Sequence, residues 1–256
     1  MPNLKLRGDS TAVASKETII EHLGELRKVL IFCVVAIIVG FIVVFVAFSE
    51  RLLVYLSQPL LNLDIQIINI GVAEPFIAQM KVSFIAGCVV ASPAVFWKIW
   101  SFLRPALFPK ERVKFLVMFF IILLLFIMGV LFAYFLVLSL AINFFITSGE
   151  NIATPMISLN MYIDMLFRFV LPFGLAFEFP VVVFVLHKFG IVTLGQLKKA
   201  RKYVLFGMFV LATLLTPPDL ISQIMLAVPM YILYEISIFV LRFMSRSKEK
   251  QDEPAG

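Results

Sequence analysis

The chain has 256 residues, of which 62% are hydrophobic and only 15% are charged, and its mean hydropathy is +1.04. Soluble domains carry roughly 25% charged residues, so this composition excludes a soluble globular protein and indicates an integral membrane protein. The net charge of +6 then reflects basic loops beside a membrane rather than a surface for nucleic acid.

The N-terminal part is polar, so we expect no secretory signal there, and residues 1–17 are predicted to be a disordered tail. The stretch 19–30 places apolar residues on one stripe of a helix, with Glu21 and Glu25 on the opposite stripe. This pattern predicts a short amphipathic helix at the membrane surface. Taken alone, it is either a charged flank that only fixes topology or a surface with a binding role.

Long apolar runs without alternation follow, which excludes an outer-membrane barrel and predicts an all-α polytopic fold. Residues 18–243 form the predicted membrane domain, followed by a disordered charged tail over 244–256. Between the first two spans, Ser49–Glu74 is expected to form a packed cap with short helices outside the membrane. The fifth span is unusually short at about 21 Å. The six predicted spans cover about 29–48, 75–102, 115–147, 161–187, 203–216 and 220–241.

The distribution of lysine and arginine predicts the topology. Residues 1–28, 98–114 and 187–202 hold five of these cations each, and four follow Leu241, whereas the alternate connections hold only Arg51. Cytoplasmic loops carry the excess of lysine and arginine. Both termini are therefore predicted to be cytoplasmic.

No motif for catalysis is visible. The sequence has no glycine-rich phosphate loop, no histidine cluster at metal-ligand spacing and no serine with a histidine–aspartate partner. The two cysteines, Cys33 and Cys88, both lie inside apolar runs and are expected to be core residues. We therefore predict no enzyme activity, no cofactor and no metal, and expect binding or transport.

Polar residues and prolines mark the later spans. Glu178 lies near the middle of the fourth span, where a carboxylate is costly, so it either forms a structural hydrogen bond or makes a functional polar contact. Gln223 is expected to face the same interior. The turn Pro217-Pro218-Asp219 reverses the chain, with Asp219 as a predicted helix N-cap. Prolines at 93, 172, 180 and 229 predict kinked helices that wrap into a concave shape.

Two carboxylates, Glu25 and Glu111, are predicted to lie on the cytoplasmic side among cations. Glu111 could simply pair with Arg112 or Arg104. Alternatively, the two carboxylates could bind a ligand that carries two guanidinium groups, each contact contributing ~1.5–3 kcal/mol.

Four segments carry a family resemblance when taken together and in order. They are His22-Leu23-Gly24-Glu25-Leu26-Arg27, the loop with Phe102, Pro105-Ala106-Leu107 and Glu111-Arg112, Phe177-Glu178-Phe179-Pro180, and Leu215-Thr216-Pro217-Pro218-Asp219 with Ser222, Gln223 and Pro229. They resemble the TatC family, the multi-spanning receptor subunit of the twin-arginine protein translocase. The resemblance covers about Thr18 to Phe243.

The resemblance implies a receptor at the cytoplasmic face for the Arg-Arg signal peptides of folded proteins. In that family the corresponding glutamates recognise the two arginines. Carried over, these are Glu25 and Glu111, with Arg27, Phe102 and Pro105 in the same region.

The resemblance also implies a glove-like six-helix shape in a bacterial inner membrane, and export driven by the proton motive force. Glu178 would line the concave face and bear on contacts with the single-span partners TatA and TatB. Other copies of the chain are expected in the same complex. The alternative from the residues alone is a proton-coupled secondary transporter of a small solute with Glu178 as its proton site.

Overall fold

A computed structural model describes the backbone of residues 6–61, 65–107, 112–149, 156–215 and 220–252, and most of their side chains from Gly24 onward. The helices are α1 (Leu6–Leu61), α2 (Glu74–Leu107), α3 (Arg112–Phe132), a π-helical segment (Ala133–Leu138), α4 (Ser139–Gly149), α5 (Leu159–Ala176), α6 (Phe179–Lys188), α7 (Leu194–Leu215) and α8 (Leu220–Asp252). Two short strands, β1 (Gln66–Ile68) and β2 (Met156–Ser158), complete the described fold.

Five helical segments in the described ranges are long and apolar enough to cross a membrane: Gly24–Leu61, Glu74–Arg104, Arg112–Thr147, Leu159–Lys188 and Gln223–Phe243. The predicted all-α membrane fold is thus confirmed. The cytoplasmic location of both termini stays a prediction. The helical backbone also extends into both predicted tails, from Leu6 and to Asp252, and disorder of these tails stays a prediction.

Helices α1 and α2 cross in backbone contact at two glycines. A Cβ added at Gly40 would lie 2.6 Å from the carbonyl oxygen of Gly87, and one added at Gly87 would lie 2.6 Å from the amide nitrogen of Phe41. Small residues allow membrane helices to approach this closely. This close contact sets the register of the two helices at the crossing.

Helix α2 tolerates a proline in its interior because a neighbouring side chain compensates. Pro93 has no N–H, so the carbonyl of Val89 loses its helical donor. The hydroxyl of Ser92 donates a hydrogen bond to that carbonyl at 2.7 Å. Freed backbone groups in membrane helices are satisfied in this way.

The third span is continuous but not uniform, because α3 passes through the π-helical segment into α4. Val137 and Leu138 of this segment are buried in the main core, where the segment contacts α5. A π-helical turn inserts an extra residue per turn and shifts the side chains that follow it. Side chains of α4 therefore point in directions different from those that a continuous α-helix from α3 would give.

The fourth predicted span is two helices rather than one. Helix α5 ends at Ala176 and α6 begins at Phe179, with Glu178 as the residue before α6. Pro180 has no amide hydrogen to donate back into α5, which explains the break. The kink predicted from Pro180 is in fact an interruption of the helix.

The fifth predicted span, 203–216, is part of a longer helix. Helix α7 begins nine residues earlier, where Thr193 and Gln196 cap each other: the Gln196 side-chain oxygen accepts from the Thr193 amide at 2.8 Å, and the Thr193 hydroxyl accepts from the Gln196 amide at 3.3 Å. This reciprocal arrangement is a capping box. The first part of α7 is charged, which is why hydropathy alone gives a late start.

The segment between Ser49 and Glu74 does not form the separate short helices that the sequence predicted. Helix α1 continues to Leu61, and β1 then pairs in parallel with β2. Glu74 ties the two strands to α2, because its carboxylate accepts from the Ile70 amide at 2.7 Å and from the Ser158 hydroxyl at 3.1 Å.

Candidate functional site

A pocket opens between α1 and α2 at the ends that are predicted to be cytoplasmic. Glu25 on α1 and Phe102 on α2 each lie fifteen residues from the glycine crossing, so the crossing places them at the same level. The pocket, which we call the α1–α2 pocket, has a volume of about 250 Å³. Its lining residues are Glu25, Lys28, Val29, Lys98, Ser101 and Phe102.

The α1–α2 pocket joins one described carboxylate to two cations. Val29 is buried and forms its apolar floor, while Glu25 and Lys28 are exposed. The Lys98 ammonium lies 5.4 Å from the centroid of the Phe32 ring, a cation–π distance that keeps the side chain beside α1. A cationic ligand group entering the pocket would find a carboxylate and an aromatic ring there.

A second pocket of about 260 Å³ lies next to the first, between α2 and the start of α3. Ser101 lines both pockets. The Trp100 indole donates to the Phe115 carbonyl at 3.0 Å, and the Arg104 guanidinium lies 5.1 Å from the Phe115 ring centroid. Together with Trp97, which contacts Phe115 edge-on at 5.5 Å, these contacts hold the start of α3 against α2.

The structure brings together some of the predicted signal-binding residues. Glu25 and Phe102 line the same pocket, and Arg27 is exposed on α1 beside it. Pro105 lies in the last turn of α2. Glu111 falls outside the described residues, immediately before Arg112, which lines the second pocket.

Glu178 is a buried carboxylate between α5 and α6, with only 8% of its surface exposed. Its backbone is held by hydrogen bonds, the amide donating to the Leu175 carbonyl at 3.1 Å and the carbonyl accepting from Val182 at 2.9 Å. Its side-chain Oε1 has no hydrogen-bond partner within the described part of the chain. A buried oxygen without a donor is destabilising, so the position is a candidate contact site.

Gln223 joins α8 to α7. Its amide donates to the carbonyl of Phe209 at 3.0 Å and also to the hydroxyl of Thr213. The described contacts of this side chain are thus within the α7–α8 hairpin. The turn residues Pro217, Pro218 and Asp219 lie outside the described residues.

A second link between α7 and α8 lies nearer the opposite end of the hairpin. Arg201 and Glu235 form an ion pair at 2.7 Å, and the Tyr231 hydroxyl donates to Glu235 at 2.9 Å.

Among the described residues, no group of histidines, cysteines or acidic residues is arranged to hold a metal ion.

The sequence analysis missed a polar cluster between α2 and α5, inside the membrane-spanning segments. Lys81 pairs with Asp164 at 2.5 Å and also donates to the Asn160 side chain at 2.8 Å. The signal was available, since one cation and one anion interrupt two separate apolar runs and such residues pair inside membranes.

The comparisons with known proteins agree with one another. The family model described as "TatC: Sec-independent protein translocase protein (TatC)" matches residues 21–229. The chain is 43% identical to the Sec-independent protein translocase protein TatC of Carboxydothermus hydrogenoformans over 89% of this chain and 93% of that one. It is 35% identical to TatC of Escherichia coli K12 over 94% of this chain and 95% of that one.

The fold is similar to a solved structure, described as the crystal structure of the twin arginine translocase receptor TatC. The TM-score is 0.81 at 36% sequence identity, and the match covers 88% of this chain and 99% of the solved one. At these levels of identity and coverage, the similarity to these proteins extends over the whole membrane domain and is not limited to a single motif.

Proposed function

Because this chain belongs to the TatC family of Sec-independent protein translocase proteins, we propose that it is a receptor for the Arg-Arg signal peptides of folded proteins. It binds them at the cytoplasmic face of a bacterial inner membrane. It then assembles with single-span subunits of the TatA and TatB type, and with further copies of itself, for export driven by the proton motive force. It acts by recognition and assembly rather than as an enzyme.

The observation that supports this proposal most directly is the α1–α2 pocket. Its carboxylate, Glu25, lies beside the aromatic Phe102 in a wall otherwise rich in cations. Arginine prefers such a site over lysine, because a planar guanidinium can bond a carboxylate through two parallel N–H groups and stack on an aromatic ring. Glu111 contributes the second carboxylate, so that each arginine of the pair has its own partner.

The apolar segment of the signal peptide then inserts into the membrane domain. Movement of charge across the membrane supplies ~2.3 kcal/mol per elementary charge per 100 mV. This term is the energy source that the proposal assigns to transport.

We expect cells that depend on this chain to export a folded reporter behind an Arg-Arg signal peptide. The amount exported should be at least about tenfold lower when the signal peptide carries Lys-Lys instead. Losing one bidentate contact, ~1.4 kcal/mol or more, corresponds to that factor. The measurement is the amount of reporter outside the inner membrane, with cells lacking the chain as the blank. Equal export of the two reporters would contradict the proposal.

For Glu178, we propose a contact with a single-span partner subunit. The change Glu178→Leu, which keeps the side chain at a similar volume, should lower the amount of partner that co-purifies by about tenfold, because it removes the carboxylate whose Oε1 has no hydrogen-bond partner among the described residues. Glu178→Gln retains hydrogen bonding and should retain the partner.

The thermal stability of the purified Glu178→Leu chain separates this role from a structural one. Removing a buried carboxylate with an unsatisfied oxygen should leave the unfolding midpoint unchanged or raise it. Undiminished partner recovery with Glu178→Leu, or a fall in recovery that tracks a fall in stability, would refute the proposed contact.

A further inference from the structure

An arginine lies on the exposed face of α5 at a depth where α1 carries no charge. The ring of Phe167, the residue before it, stacks on Phe84 at 6.0 Å, and Phe84 lies 6.4 Å from Phe41 in the uncharged run of α1. Arg168 itself is exposed. A guanidinium that leaves the backbone at this depth is costly in hydrocarbon unless an anion accompanies it.

The neighbouring anion on α5 is already committed to another cation. Asp164, one turn from Arg168, accepts from Lys81 at 2.5 Å. Lys81 completes its bonding through Asn160 at 2.8 Å. The cluster of Lys81, Asp164 and Arg168 therefore has a net charge of +1, and Arg168 has no ion-pair or hydrogen-bond partner within the described part of the chain.

The exposed face around Arg168 has the width and spacing of a contact for a single helix. Met161 and Leu175 lie seven residues on either side of Arg168 and are 67% and 64% exposed. A spacing of seven keeps side chains on one stripe of a helix, which is the pattern of helix–helix seams. The other faces of α5 are buried against α2, α3 and α8. We call this stripe, Met161–Arg168–Leu175, the α5 stripe.

We propose that the α5 stripe docks one membrane-spanning helix of a different protein, which presents an acidic side chain to Arg168. This inference rests on the proposed function, since it assigns a surface to the single-span subunits. Charge complementarity identifies the partner group as a carboxylate at the depth of Arg168.

A second copy of this chain is a poor source of that carboxylate. Three described acidic residues lie inside the six predicted spans. Glu178 is assigned above to a contact with a single-span subunit, Asp164 is paired with Lys81, and Glu235 is paired with Arg201. A lipid phosphate lies at the membrane surface rather than at the depth of Phe41. The partner helix is thus the occupant that matches both the charge and the depth.

The test places a photo-crosslinking amino acid, p-benzoylphenylalanine, at Met161 or Leu175 in cells that express the full chain with the single-span subunits of the same translocase. Adducts with a single-span subunit are expected from both positions. Arg168→Gln should lower their yield about tenfold, and Arg168→Lys, which keeps the charge, should preserve them. Phe120, a 63% exposed residue on the uncharged surface of α3, is the matched control position.

Adducts whose yield is the same with Arg168→Gln, adducts only with lipid, or adducts only with a second copy of the chain would each overturn the proposal. An exchange of the two charges would support the proposal most strongly. Arg168→Glu should abolish the adduct, and replacing the acidic residue of the partner with lysine in the same cells should restore it. Binding of an Arg-Arg signal peptide to the Arg168→Gln chain should remain normal. Failure of that binding in the unsubstituted chain would instead refute the receptor function and leave the crosslinking result unaffected.

Discussion

Replacing Glu25 with glutamine should weaken the binding of an Arg-Arg signal peptide by about ten- to a hundredfold. The change leaves the shape of the α1–α2 pocket intact but removes its one described negative charge, and a charge-assisted hydrogen bond contributes ~1.5–3 kcal/mol. With Glu111→Gln added, binding should fall below what either change causes alone. The measurement is the affinity of a labelled signal peptide for the chain purified in detergent.

Glu50→Gln is the matched control for Glu25→Gln. It removes an exposed carboxylate from the same helix at the opposite end of its apolar run, and it should leave the affinity unchanged. The comparison peptide carries Lys-Lys. If Glu25→Gln weakened the Arg-Arg and Lys-Lys peptides by the same factor, the carboxylate would not be selecting guanidinium groups, and the assignment would be wrong.

Replacing Gly87 with alanine should destabilise the chain and weaken signal-peptide binding together. The added Cβ would lie 2.6 Å from the Phe41 amide nitrogen and 2.7 Å from its Cα, and neither backbone atom can rotate away. Helices α1 and α2 must then separate, at a cost of about 1–3 kcal/mol. This corresponds to a decrease of roughly 2–12 °C in the unfolding midpoint for a chain of this size.

Gly207→Ala provides the matched control, because a Cβ at Gly207 in α7 would have nothing within 4 Å. Alanine is the better helix former, so this variant should be as stable as the parent chain or slightly more so. The signal-peptide affinity of Gly87→Ala tests the link to the pocket, since the crossing sets the level of Glu25 and Phe102. Unchanged stability in Gly87→Ala would show that the helices do not cross in the close contact described.

The sequence predicted the spans better than their ends. Uninterrupted apolar runs identify membrane helices because hydrocarbon forces backbone groups to bond within the helix, and this logic requires no tertiary information. The ends depend on local bonds instead. Hydropathy placed the start of the fifth span at residue 203, whereas the Thr193–Gln196 capping box starts α7 at Leu194. Hydropathy likewise placed the end of the first span at residue 48, whereas α1 continues to Leu61.

The candidate site divides in the same way. Glu25 and Glu178 stand out in the sequence because each carboxylate lies beside or inside an apolar run. That Phe102 shares a pocket with Glu25 depends on the register of α1 and α2, which is set by the contact of Gly40 with Gly87. A contact between two glycines leaves no periodic pattern in either helix. Lys81 and Asp164 stand out as charges inside apolar runs, but their pairing with each other depends on the packing of α2 against α5.

The parallel pairing of β1 with β2 has a consequence for the order in which the chain assembles. β1 leaves the ribosome long before β2, and the segment between them contains α2, α3 and α4. Until β2 emerges, Ile67 and Ile68 have no β2 strand to pair with, and extended segments of other chains can add to such an unpaired edge. Contacts so distant in sequence form late because the intervening loop must close first. The pairing of β1 with β2 can therefore form only after the whole third span has been synthesised.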